Sequence, residues 1–271
     1  MDSSRLWRIL GTGSLAATLL LGGGFVYAVQ DMLGSGSGLT APAKKPVLAE
    51  TGGSFAAAST IYVTALGDSL TKGVGDNTGE GYVKQVIKGL GQATGKPVQQ
   101  INNLAVAGLT ASELDEMLEK DQGMAYPIRQ ANLILLTIGG NDLFRSALSQ
   151  AEEGNASDIS VESVASRIPE AIASFKSVIG RIRAINPDAT IAYAGLYNPF
   201  YDIPELKEGI VPVQKWNDEA FAVLSKDPHA VLVPVLDLFQ LHGSGYLSSD
   251  HFHPNHEGYE RISDRIIQSL S

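Results

Sequence analysis

Five short runs with strand character, near residues 61–66, 98–104, 132–138, 189–195 and 230–235, alternate with longer segments of helical periodicity, and this alternation constrains the chain most. Strand, helix, strand in repetition predicts an α/β protein: a parallel sheet wrapped by helices through right-handed crossovers. The clearest helix carries Val161, Val164, Ile168, Ile172, Phe175, Ile179 and Ile182. Spacing by three and four puts them on one apolar face. Pro169 is expected to kink or restart this helix, and Asn186-Pro187-Asp188 to end it. A last helix is expected after Pro254, carrying Ile262, Ile266, Ile267 and Leu270. Open parallel sheets bind ligands at the carboxyl ends of their strands. Ser69 follows the first run, Gly108 the second and Asn141 the third, so all three are expected along one sheet edge.

The residues before the first strand differ in kind. Arg5 and Arg8 precede a charge-free run from Ile9 to Val29 that includes Leu19-Leu20-Leu21, which is the pattern of an export signal. The run is long enough for a membrane anchor, since spanning a bilayer takes about 20 apolar residues. Val26-Tyr27-Ala28 also offers a cleavage site, and a buried core helix is the third alternative. Segment 1–32 is therefore expected to be a signal or transmembrane anchor, with everything after Asp31 extracytoplasmic, or secreted if cleavage follows Ala28. Residues 33–59, rich in Gly, Ser, Ala and Pro, are expected to be a flexible linker, leaving 60–271 as one domain. A net charge of -9 argues against nucleic acid or an anionic membrane surface as partner. The absence of cysteine excludes disulfides, thiolate nucleophiles and Cys-ligated zinc.

Four segments carry residues capable of chemistry. The first is Gly67-Asp68-Ser69-Leu70, which fits neither the phosphate-binding loop nor the Gly-x-Ser-x-Gly elbow. Its serine is either a nucleophile or, with Asp68, a helix cap. The second, Asn103 to Gly108, is a strand end running into a helix that starts near Thr110. Glycine there allows a backbone N–H to face a ligand closely. In the third, Gly139-Gly140-Asn141-Asp142, an amide stands at the mouth of a buried strand, to serve a ligand or to hold the loop. The fourth is Asp250-His251-Phe252-His253-Pro254, whose carboxylate can hold the His253 ring in one tautomer. A zinc site built from Asp250, His251, His253 and His256 is the competing arrangement, and inert surface histidines a second.

Taken in order, these segments resemble the blocks of the SGNH (GDSL) hydrolases, whose members include lysophospholipases, thioesterases and carbohydrate esterases. The likeness runs from about Ile61 to Ser271. It implies a flavodoxin-like three-layer α/β/α sandwich with a five-stranded parallel sheet. It implies Ser69 as nucleophile, Asp250 and His253 completing the triad, and Ser69, Gly108 and Asn141 forming the oxyanion hole. No cofactor and no metal are implied. The expected activity is cleavage of a small-molecule or lipid acyl ester through an acyl-enzyme. A carbohydrate O-acetyl esterase, a thioesterase and a tethered binding module with a lapsed triad are the alternatives. Tyr197, Phe200 and Tyr201, in a long Pro-punctuated segment after the fourth strand, are candidate substrate-binding residues; a loop packing its own aromatics on the domain surface is the other reading.

Overall fold

The computed structural model describes residues 55, 57–145, 161–200 and 210–270, all within one compact unit. The expected anchor, nearly all of the expected linker, and Tyr201 lie outside the described residues. Among the described residues no helix is long and apolar enough to cross a membrane.

Strands β1 (Ile61–Gly67), β2 (Val98–Asn103), β3 (Leu133–Thr137), β4 (Thr190–Ala194) and β5 (Ala230–Val233) form one parallel sheet of order β2-β1-β3-β4-β5. The α/β class and five parallel strands expected from the alternation are what the chain adopts. The helices between and after them are α1 (Ser69–Lys72), α2 (Gly81–Thr94), α3 (Ala111–Lys120), α4 (Gln122–Gln130), α5 (Val161–Ala165), α6 (Ile168–Ile185), α7 (Ile210–Leu224), and, beyond β5, α8 (Leu236–His242) and α9 (His256–Leu270). Residues 140–145 are also helical. Pro169 restarts the helix rather than kinking it, because it occupies the first turn of α6, where its missing N–H costs nothing.

Side chains alternate across a strand, so each central strand feeds two cores. Ile61, Val63 and Ala65 of β1, Leu133 and Leu135 of β3, and Ala192 of β4 pack with Tyr82, Val86, Tyr259 and Ile262 of α2 and α9. Leu66, Ile134, Leu136, Ile191 and Tyr193 point the other way, onto Leu114, Ile128, Phe175, Val178 and Trp216 from α3, α4, α6 and α7. The result is three layers. Strand β2, with polar Gln99, Gln100, Asn102 and Asn103, is the exposed edge next to β1, as an edge strand tolerates. The strand order reverses between β1 and β3, and the crevice at such a reversal is where ligands bind in doubly wound sheets.

Candidate active site

At the end of β1 the chain passes very close to the end of β3. Gly67 has φ +128°, and a Cβ there would lie 1.9 Å from the Thr137 carbonyl oxygen, so only glycine fits. The Asp68 N–H then donates to that carbonyl at 3.1 Å. Asp68 caps α1 by accepting from the Leu70 N–H at 3.1 Å, and Ser69 becomes the first helical residue. Capping by Asp68 and the placing of a largely buried serine at the sheet edge are thus one arrangement. Behind it runs a buried polar chain. The Thr137 hydroxyl donates to Asp68 Oδ1 at 2.7 Å, and the Thr71 hydroxyl lies 2.7 Å from both the Thr137 and Tyr82 hydroxyls. Burial pushes the Asp68 carboxyl above its usual range, against the hydrogen bonds from Thr137 and Leu70 and the nearby His253.

The loop before α9 is built differently, from short bonds within itself. The Ser248 N–H donates to the His253 carbonyl at 2.8 Å and the His251 N–H to the Ser248 carbonyl at 3.0 Å. His251 takes a left-handed φ of 55° to complete the turn. Asp250 Oδ1 accepts from the Ser248 hydroxyl at 2.7 Å and from the N–H groups of Phe252 and His253 at 2.9 Å each. Its other oxygen is left to His253 Nδ1, at 2.7 Å. Burial alone would raise this carboxyl. The bonds from His253, Ser248 and the backbone outweigh it and hold Asp250 well below the usual carboxylate range, so it stays ionised.

The two regions meet at His253 Nε2, which lies 2.8 Å from Ser69 Oγ. Serine hydroxyl, imidazole and carboxylate form one hydrogen-bonded line. Such a line can pass a proton from oxygen to ring while the carboxylate stabilises the resulting cation. Gly75 helps set the ring's place: a Cβ there would stand 2.8 Å from His253 Cβ and 2.5 Å from the Pro254 carbonyl oxygen.

Beyond β2, Gly108 adopts φ +80°. Asn141, at the mouth of β3, donates from Nδ2 to the Leu109 carbonyl at 2.9 Å, which leaves the amide a second N–H. The carboxyl of Asp142 accepts from the Ala111 N–H at 3.0 and 3.1 Å, and burial raises it to about 6. Gly139 is required here, because with φ +109° a Cβ would come within 2.2 Å of the Trp216 ring.

Tyr197 is buried, stacked on Phe239, and its hydroxyl donates to the Phe252 carbonyl at 2.7 Å. It therefore holds the His253 loop from beneath. Phe200 packs edge-on against Phe144 and lies 6.1 Å from Phe252, which in turn abuts the His253 ring. Thr137 and Ser248 were not singled out from sequence. A polar residue closing an apolar strand, and a serine two places before an aspartate, were the available signals. His253 and His256 face different partners, His256 bonding to Asp76 at 3.3 Å, and among the described residues no three metal-capable side chains converge.

Fold and geometry together define an α/β protein with a serine, histidine and aspartate in line at the switch point of its sheet. Residues 65–261 match the GDSL-like Lipase/Acylhydrolase family. The chain is 30% identical to the spore germination lipase LipC of Bacillus licheniformis over 76% of its length and 95% of that protein's. It is 37% identical to the uncharacterized protein YpmR of Bacillus subtilis, covering 78% of this chain and 81% of that one. Among solved structures it is similar to the lipase Lip_vut3 from a goat rumen metagenome, with TM-score 0.66 and 26% identity over 78% of this chain and 97% of the other. A family 3 carbohydrate esterase of Clostridium thermocellum shares the fold at TM-score 0.55 and 17% identity, over 78% and 98%. The chain belongs to the GDSL-like lipase/acylhydrolase family.

Proposed function

We propose that the chain is an extracytoplasmic serine hydrolase of acyl esters that works through a Ser69-His253-Asp250 triad. The observation that carries this is the unbroken line from Ser69 Oγ through the His253 ring to Asp250, at 2.8 and 2.7 Å. His253 takes the proton of Ser69 as Oγ bonds to the acyl carbon. The carbonyl oxygen, now negative, is held by the N–H groups of Ser69 and Gly108 and the second Asn141 N–H. His253 then protonates the departing alcohol, leaving an acyl-enzyme, and water releases the acyl group by the reverse route.

Lipid-like acyl chains are the favoured substrates. Phe252 and Phe200 put an aromatic wall beside the His253 ring, suited to an apolar chain. Arg5 and Arg8 before the apolar run to Val29 support a catalytic domain outside the cytoplasm. Protease added to intact cells should reach it, and protection in intact cells would refute the location.

A p-nitrophenyl ester series of increasing chain length tests the activity. Turnover is expected, rising beyond acetate, together with covalent labelling by a phosphonofluoridate that Ser69→Ala abolishes. Labelling that persists in Ser69→Ala would move the nucleophile elsewhere, and a maximum at acetate would favour a deacetylase. No turnover by folded protein on any ester would leave a binding module.

A further inference from the structure

The loop that carries Gly108 has an unusual support. Glycine at φ +80° has no side chain to limit rotation about its own bonds, so its peptide planes are set by what they bind, the Leu109 N–H donating to the Val106 carbonyl at 3.2 Å and the carbonyls being taken by side chains. Two side chains one helical turn apart, Asn141 and Arg145, take successive carbonyls of this loop. Asn141 donates to Leu109 at 2.9 Å, and Arg145 Nη2 donates to Gly108 at 2.8 Å. Arg145 is itself held, with Nη1 3.1 Å from Glu113 Oε1. The second oxygen of Glu113 accepts from the N–H and hydroxyl of Thr110, at 2.8 and 2.9 Å, in the capping box of α3. The downstream end of the loop is therefore fixed at Thr110 and Ala111. Upstream, the Val106 N–H donates to the Gly67 carbonyl at 2.9 Å, so rotation at Gly108 is confined to the peptides between Val106 and Leu109 and changes the direction of the Gly108 N–H.

We infer that Arg145 is a positioning residue that clamps the Gly108 peptide and so aims the Gly108 N–H at the substrate's carbonyl oxygen. The inference rests on the oxyanion role given to Gly108 above. Arg145 and Glu113 are both about half exposed, and exposed pairs add little to stability. Removal of the clamp should thus be felt in the rate and not in folding.

The test uses the full chain with p-nitrophenyl acetate. Misplacing one donor should lower kcat of Arg145→Ala by about 10-fold to 100-fold, less than removing a donor outright. KM and the melting temperature should stay near wild type. Affinity for an alkyl boronic acid, which mimics the tetrahedral state, should fall in step with kcat. The pH midpoint of kcat/KM should not move, because the His253–Asp250 pair is untouched. Arg145→Lys, which offers one N–H donor to Gly108, should recover part of the loss, and added guanidinium should partly restore Arg145→Ala alone. Wild-type kcat in Arg145→Ala overturns the clamp. So does a loss matched by a lowered melting temperature and rescued by neither lysine nor guanidinium. An inactive wild type overturns the hydrolase itself, a result separate from an active wild type with an indifferent Arg145→Ala.

Discussion

Asp68 and Asp250 flank the same serine–histidine pair, and their surroundings push the two carboxyls in opposite directions. Asp68 is sealed beneath the sheet edge, where burial dominates and raises it, and its bonds go to a strand hydroxyl and a helix N–H. Asp250 stands half-exposed in a loop that surrounds it with four donors, so its charge is retained. One region is a rigid seat whose polar groups satisfy each other; the other is a charged support tuned to an imidazole. The same residue type holds architecture in one place and electrostatics in the other, and the difference lies in donor number and water access.

Three experiments probe that contrast. The largest effect on turnover is expected from Asp250→Asn, which keeps the shape but loses the charge and the tautomer control. Loss of this kind in a serine triad costs about 10,000-fold in kcat. An activity within tenfold of wild type would place the support of His253 elsewhere. Next comes Asn141→Ala, on the strand-end side. Losing one oxyanion donor costs about 100-fold to 1000-fold, so kcat on a simple ester should fall by that much. Unchanged turnover would break its assignment.

The smallest effect on turnover, and the clearest on stability, is expected for Asp142→Asn. Asp142 shares the raised carboxyl of the strand-end region, at about 6 against an ordinary 3.8. The folded protein holds this proton more tightly than the unfolded chain. Stability from this group is therefore fully present below about 3.8 and is lost as pH rises through about 6. The loss is up to about 3 kcal/mol. Asparagine retains an acceptor for the Ala111 N–H but does not ionise, so urea unfolding at pH 4 and pH 7 should differ less in the variant. An unchanged slope would assign the pH dependence to other carboxyls.

Much of this was legible in the chain itself, for identifiable reasons. Strands β1, β3 and β4 are apolar because helices cover both faces, and the covered run is what a reader of the sequence sees. Ser69, Gly108, Asn141 and His253 stood out because each adjoins a strand end, a glycine turn or a proline. What escaped notice depends on distance in space alone. The Thr71–Thr137 bond joins residues 66 apart, and the Arg145–Gly108 bond residues 37 apart. Tyr197 shows the limit in another way. An aromatic residue after a parallel strand signals burial, but not whether its hydroxyl meets a ligand or, as here, a carbonyl 55 residues away.

Ser69 and His253 are separated by 184 residues, and the loop bearing His253 lies in the chain between helices α8 and α9. Helix α9 in turn lies so close on α2 that a Cβ at Gly89 would come within 2.3 Å of Ile267 Cδ1. Ser69 is thus among the first parts of the domain to leave the ribosome and His253 among the last. A growing chain cannot form the Ser69–His253 hydrogen bond until the whole sheet has been synthesised and its final helix has docked beside the first long one.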